Sequence, residues 1–209
     1  MQYWLDLGSG KWNEELVPSM LNPNNKDSVT IVHVDRCFPE GIGKNLVEIA
    51  NMIHDDINES HQDGVVTELF CKSDIFEFLD NFPFKKFDKV ICNRFFEHLE
   101  WCSGEVGRMI EACNVITKYS ANLEFIVPDH DKIARILLKR KLSDNDIMIV
   151  NTEFCNIRCD PHLTIWTPWL AKKYINAEGT WKIDKIERNY KFAGRDIYMK
   201  ISCSKPEQK

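Results

Sequence analysis

A doubly wound α/β fold is what the 209-residue sequence predicts: a mostly parallel seven-stranded sheet, helices on both faces and an antiparallel last strand. Three observations predict it. Short apolar, β-branched runs alternate with helix-period segments along the first 129 residues, the rhythm of parallel strands joined by crossover helices. Several of these runs stop at a carboxylate followed by turn residues, as in "YWLDLGSG" and "TIVHVD". The last thirty residues instead carry two runs that alternate by twos around "FAGR", which reads as an antiparallel hairpin.

Each element follows from its own local pattern. "QYWLDL" is a short apolar strand, the glycines after it a turn, and "EELVPSML" a helix with an early proline. "VTIVHVD" is a second strand ending at Asp35. "GKNLVEIANMIHDDI" has Leu46, Val47, Ile49, Ile53 and Ile57 at helical spacing. "VVTELFCKSD" is a third strand ending at Asp74, and "IFEFLDNF" a short helix. "KFDKVICN" is a fourth strand, and Arg94 to Thr117 is helical apart from a loop at Ser103-Gly104. "NLEFIVPD" is a fifth strand. After it, "DKIARILLKRKL" reads as helix, 143–168 as a long irregular segment with one short strand, and "PWLAKKYINAEG" as a helix capped by Gly179.

The composition, 44% hydrophobic and 28% charged, suits one domain over 1–209. Residues 129–168 break the sheet's rhythm and are too long for a bare connection, so they read as a substrate-facing lid insertion. A net charge of −5 offers no broad basic field for nucleic acid. The run Lys139-Arg140-Lys141 reads as a solvated helix face. Eight cysteines contain no CxxC pair, the first residues do not read as a secretory leader, and no apolar stretch is long enough to span a bilayer, so no secretion is expected. The expectation is a cytoplasmic protein with reduced, mostly buried thiols.

Four ordered signals resemble the class I S-adenosylmethionine (SAM) dependent methyltransferases, over Tyr3 to about Cys203. Asp6-Leu7-Gly8-Ser9-Gly10 is similar to the family's acidic-x-Gly-x-Gly motif, with Trp12 at its third glycine position. Asp35 stands where the family keeps its ribose acid, and Ser73-Asp74-Ile75 at the adenine position. "FDKVICNRFFEHLE" resembles the fourth-strand motif of the small-molecule branch, with Glu-His-Leu after the strand. "CDPHLTIWTPWL" is a looser match to that branch's late substrate-side element. The resemblance implies SAM as cofactor, held by Asp6, Gly8, Gly10, Asp35, Asp74, Ile75 and Asn93.

Elementary chemistry supports the same placements. Glycines at the first β-to-α turn let backbone approach a ligand that a Cβ would exclude. An acid at the end of the next strand can accept from two ribose hydroxyls, and Asp74 from an adenine amine while the Ile75 N–H meets a ring nitrogen. Three histidines fall on the acceptor side: His98 after the fourth strand, His130 after the fifth and His162 in the late segment. Each is a candidate base; the alternative is packing for His98 and His162 and a solvated loop between Asp129 and Asp131 for His130. Trp166 and Trp169 read either as acceptor-pocket aromatics or as core.

The rival readings are weaker. A nicotinamide site wants a third glycine where Asn13 stands. A base-methylating enzyme wants Pro-Pro-aromatic where Cys92-Asn93-Arg94-Phe95 stands. Cys155, Cys159 and His162 have loose zinc spacing, with buried thiols the alternative and no resident metal expected. The reading is a SAM-dependent methyltransferase of a small-molecule or glycan/lipid-type acceptor. The alternative is an inactive fold serving as SAM sensor or partner scaffold.

Overall fold

A computed structural model describes residues 1–8, 28–38, 43–55, 66–153, 162–192 and 194–206. The sequence-predicted helix near residue 16, and Ser9, Gly10, Trp12, Asn13, Cys155 and Cys159, lie outside the described residues.

Seven strands form one sheet: β1 (Gln2–Leu7), β2 (Val29–Val34), β3 (Val66–Cys71), β4 (Phe87–Asn93), β5 (Thr117–Pro128), β6 (Lys182–Phe192) and β7 (Arg195–Ser204). Their spatial order is β3-β2-β1-β4-β5-β7-β6. The first five run parallel, and β7 lies antiparallel between β5 and β6. The chain winds outward from β1 to β3 and then returns to place β4 on β1's other side. That reversal opens a crevice at the carboxyl ends of β1 and β4.

Every residue of β2 is buried, as expected of an inner parallel strand covered on both faces. The register brings Leu7, Val34 and Cys71 level, with Cys92 beside Leu7. Backbone bonds then carry the ladder one step further: Gly8 N–H donates to Val34 (3.1 Å), Asp35 N–H to Cys71 (3.2 Å) and Arg94 N–H to Ile126 (2.9 Å). Gly8, Asp35 and Arg94 are thus held by the sheet itself.

The helices α1 (Leu46–Asp55), α2 (Ile75–Asn81), α3 (Glu105–Ile116), α4 (His130–Leu137), α5 (Asp144–Glu153) and α6 (Pro168–Glu178) flank the sheet. A reciprocal cap starts α1, with Asn45 Oδ1 accepting the Glu48 N–H and Glu48 Oε2 the Asn45 N–H. Val106, Met109, Ile110 and Cys113 give α3 one buried face on the main core, which also holds Leu5, Leu7, Val90, Phe125 and Trp166. A left-handed Gly179 (φ +67°) ends α6 as predicted, and Thr167 caps its start ahead of Pro168.

The stretch read as irregular, 143–168, instead contains α5. A cap explains it: Asp146 Oδ2 accepts the Ser143 N–H, and Ser143 Oγ accepts the Asp146 N–H. After β4, the helix expected before the Ser103-Gly104 loop is a single 3-10 turn, Phe96–His98, while α3 begins at Glu105, directly after that loop. No helix among the described residues is long and apolar enough to cross a membrane.

Candidate functional site

Two groups of residues meet along the crevice. The first occupies the ends of β1 to β4. Gly8 has φ +70°, and a Cβ there would lie 3.0 Å from Phe95 Cβ. Both facts demand glycine, and both keep the backbone open to close approach. Asp35 is buried, and its Oδ1 accepts the Cys37 N–H at 2.6 Å, which fixes the carboxylate at the β2 terminus. Asp74 caps α2, with Oδ1 accepting from Phe76 (2.9 Å) and Glu77 (3.3 Å). Capping alone accounts for one of its oxygens. Ile75 is buried at the start of α2, and Asn93 ends β4 half-buried.

Asp6 behaves differently from its neighbours. Its Oδ2 lies 2.9 Å from His33 Nδ1 on the adjacent strand, and the pair is buried. His33 in turn stacks on Phe70 at 4.9 Å. Asp6 Oδ1 is buried with no hydrogen-bond partner among the described residues. Asp6 thus joins β1 to β2 through its side chain, while Gly8 and Asp35 hold the crevice positions.

The second group surrounds the turn after β4. Arg94 adopts φ +55°, a strained geometry for a residue with a side chain. Its Nε stands 3.7 Å from Glu97 Oε1, its Nη2 4.0 Å from Glu153 Oε2, and its guanidinium lies over the Tyr198 ring at 5.5 Å. Buried Glu153, the last residue of α5, also accepts from the Tyr198 hydroxyl (3.0 Å) and from Arg195 Nη1 (3.4 Å). Burial pushes the Tyr198 phenol up to about 12, with Glu153 adding to the rise. Beside them Arg188 grips buried Asp129 through Nε (2.6 Å) and Nη2 (3.0 Å).

The three predicted histidines come together here. The His98 and His162 rings are 5.0 Å apart at 72°, and His130 and His162 are 6.3 Å apart. Leu163 and Thr164 donate backbone N–H groups to the Glu97 carbonyl (2.8 and 3.0 Å), and Thr164 Oγ1 donates to Leu99. His130 serves as a staple: Trp166 N–H donates to its Nδ1 at 3.0 Å, and the His130 N–H donates to the Trp166 carbonyl at 3.0 Å. An Nδ1 that accepts leaves the ring proton on Nε2. Burial pushes His130 down.

His162 is pushed down to about 4 by burial first, then by His98, His130 and Arg94. Such an imidazole is neutral at pH 7 but a weak base, suited to accepting a hydrogen bond more than to removing a proton. Its effect on stability has a definite sign. The unfolded side chain takes a proton below about 6.5, while the folded one resists until about 4. The unfolded state therefore binds more protons in that window, and stability is lost as pH falls through it. Denaturant melts at pH 7 and pH 5 should show a larger loss for wild type than for His162→Ala; equal losses would refute the assignment.

Trp166 is completely buried against Phe96, Phe125 and Tyr174 (5.8, 5.4 and 5.0 Å), whereas Trp169 is 67% exposed. Neither lines an acceptor pocket as a pair. Sequence reading also missed Arg94, Glu153, Arg195 and Tyr198 as one network. Strand β7 supplies Arg195 and Tyr198, the turn after β4 supplies Arg94 and α5 supplies Glu153, and no local motif marks that meeting.

No protein-family model matches the sequence, and no curated protein is similar to it. Solved structures do match. A SAM-dependent methyltransferase from Methanosarcina mazei aligns over 99% of this chain and 93% of its own, at 15% identity and TM-score 0.57. The 1,6-didemethyltoxoflavin-N1-methyltransferase of Burkholderia thailandensis, solved with 1,6-didemethyltoxoflavin and S-adenosylhomocysteine, aligns over 98% of this chain and 71% of its own, at 11% identity and TM-score 0.57. The N-methyltransferase NodS of Bradyrhizobium japonicum aligns over 99% and 86%, at 12% identity and TM-score 0.54. The chain has the Rossmann-like fold of class I SAM-dependent methyltransferases.

Proposed function

We propose that this protein is a SAM-dependent methyltransferase of a small-molecule acceptor, acting as one domain with 129–168 as the acceptor-facing cover. The observation that carries this reading is the placement of Gly8, Asp35 and Asp74 at the carboxyl ends of three adjacent parallel strands. A glycine that a Cβ would close and a buried, oriented acid fit a nucleoside with an amino-acid tail. Asp35 would hold the ribose hydroxyls, Asp74 and Ile75 the adenine, and Gly8 the tail, with Asn93 at the inner wall. Bound, SAM supplies an electrophilic methyl on a sulfonium. Transfer removes charge, so the chain's task is alignment and exclusion of water. Phe95 beside Gly8 and the buried turn from Phe96 provide the dry wall. His98 and His162 face the acceptor side, and the hydrogen bonds from Leu163 and Thr164 to Glu97 support 129–168 as the cover. Neighbours that act on small molecules, the toxoflavin enzyme among them, support that class of acceptor.

A second reading, a cofactor-binding sensor or scaffold, is favoured by one observation: the Arg94–Glu153 contact spans the acceptor side with side chains already paired. One experiment separates the two. S-adenosylhomocysteine binding is measured by calorimetry, and the protein is then incubated with methyl-labelled SAM and fractionated host-cell extract. Binding with label in a small-molecule fraction is the expected result. Binding with no labelled fraction supports the sensor, and no binding overturns both the methyltransferase and the sensor, leaving the scaffold.

A further inference from the structure

We propose that Glu97, His98 and His162 form a site for one divalent transition-metal ion of the zinc class. Each residue offers one donor atom, and the three atoms lie within 4.8 Å of one another. Two imidazoles and one carboxylate suit zinc or cobalt better than calcium or magnesium, which prefer oxygen alone. Ions of this class hold such donors at about 2.0–2.2 Å. Donors around one ion therefore sit about 3–3.5 Å apart, and modest side-chain rotation closes the difference.

The backbone makes the cluster more than a chance approach. Glu97 and His98 belong to the 3-10 turn after β4, while His162 opens the segment leading to α6. The hydrogen bonds from Leu163 and Thr164 to the Glu97 carbonyl, and from Thr164 Oγ1 to Leu99, fasten one segment to the other. A ring angle of 72° sets the imidazole planes across each other, so their in-plane lone pairs can converge. His162 Nδ1 is buried and makes no hydrogen bond of good geometry among the described residues, although the Glu153 backbone approaches the ring. Arg94 is the competitor, with Nε 3.7 Å from Glu97 Oε1, but Glu153 stands ready to retain it at 4.0 Å.

Three protein donors leave an ion one open position, the arrangement of a reactive rather than a structural centre. Resting on the methyl-transfer reading, that position would take an acceptor oxygen. The ion site itself is independent of that reading.

The test uses the full chain after chelator treatment, titrated with Zn2+ by calorimetry and with Co2+ by visible absorption. One equivalent should bind, and His98→Ala and His162→Ala should each weaken Zn2+ binding at least about tenfold. A Cys155→Ser/Cys159→Ser variant should keep the wild-type affinity. Circular dichroism reports folding, and His98→Gln replaces His98→Ala should the latter not fold. Absence of Zn2+ binding, a histidine effect below tenfold, or loss caused by the cysteine variant overturns the site. S-adenosylhomocysteine binding, measured on the same samples, distinguishes failure of the ion site from failure of the methyl-transfer reading.

Discussion

Asp35→Ala is expected to weaken S-adenosylhomocysteine binding by about 30- to 1,000-fold, the loss of two charge-assisted hydrogen bonds totalling about 2–4 kcal/mol. The size of the effect comes from preorganisation. The Asp35 carboxylate ends a fully buried strand, and the Cys37 N–H already holds one of its oxygens at 2.6 Å. A ribose diol would thus meet an acceptor that needs no further ordering. Stability should fall much less than affinity, because the Asp35 backbone N–H keeps its bond to Cys71 and the β2 ladder stays in place. Asp35→Asn should lie between the two, since it keeps one acceptor oxygen and loses the charge. Calorimetry with an unchanged dissociation constant in Asp35→Ala would remove the ribose assignment, whatever the melting temperature.

That half of the site was legible because each of its parts is local. A strand that ends in an acid, or a glycine pair that follows one, states its own geometry within a few residues. Gly8 bears this out with its positive φ and with the Phe95 side chain that a Cβ there would meet. The hairpin and the Gly179 cap of α6 were legible for the same reason. Helix α5 was not, because its buried residues are Asp146, Ile149 and Glu153. A face two-thirds acidic gives no apolar stripe to read. The signal that could have found it is Ser143-x-x-Asp146, a capping box written plainly in the sequence. The acidic residues of α5 have partners elsewhere: Asp146 meets Lys139, and Glu153 meets Arg195 and Tyr198 on β7. Only the order β5-β7-β6 brings β7 beside β5 and so within reach of that helix. Trp166 and Trp169 show the same limit: one residue is core and the other solvent-facing, and the difference lies in the α6 contact rather than in composition.

The histidines should separate by kind of damage. His98→Ala should lower turnover by about 10²–10⁴-fold, the range for loss of a positioned proton acceptor or polar anchor, with little change in melting. In the proposed reading its ring faces the acceptor; it stands beside His162 at 5.0 Å, with Nε2 4.0 Å from Glu97 Oε1. His130→Ala should do the reverse. There the imidazole is the acceptor for the buried Trp166 N–H, and removing it leaves that donor unpaired at a cost of about 1–3 kcal/mol. Trp166 packs on Phe96 and Phe125, so the loss reaches the main core beneath β4 and β5. Turnover per folded molecule should stay within a few-fold of wild type, because the His130 nitrogen that accepts is already engaged by backbone. Turnover with labelled SAM, normalised to the folded fraction from denaturant melts, checks both variants together. A His98→Ala protein that keeps wild-type turnover would end the acceptor-side role of that ring. A His130→Ala protein that melts normally but turns over a hundredfold more slowly would transfer the role to His130.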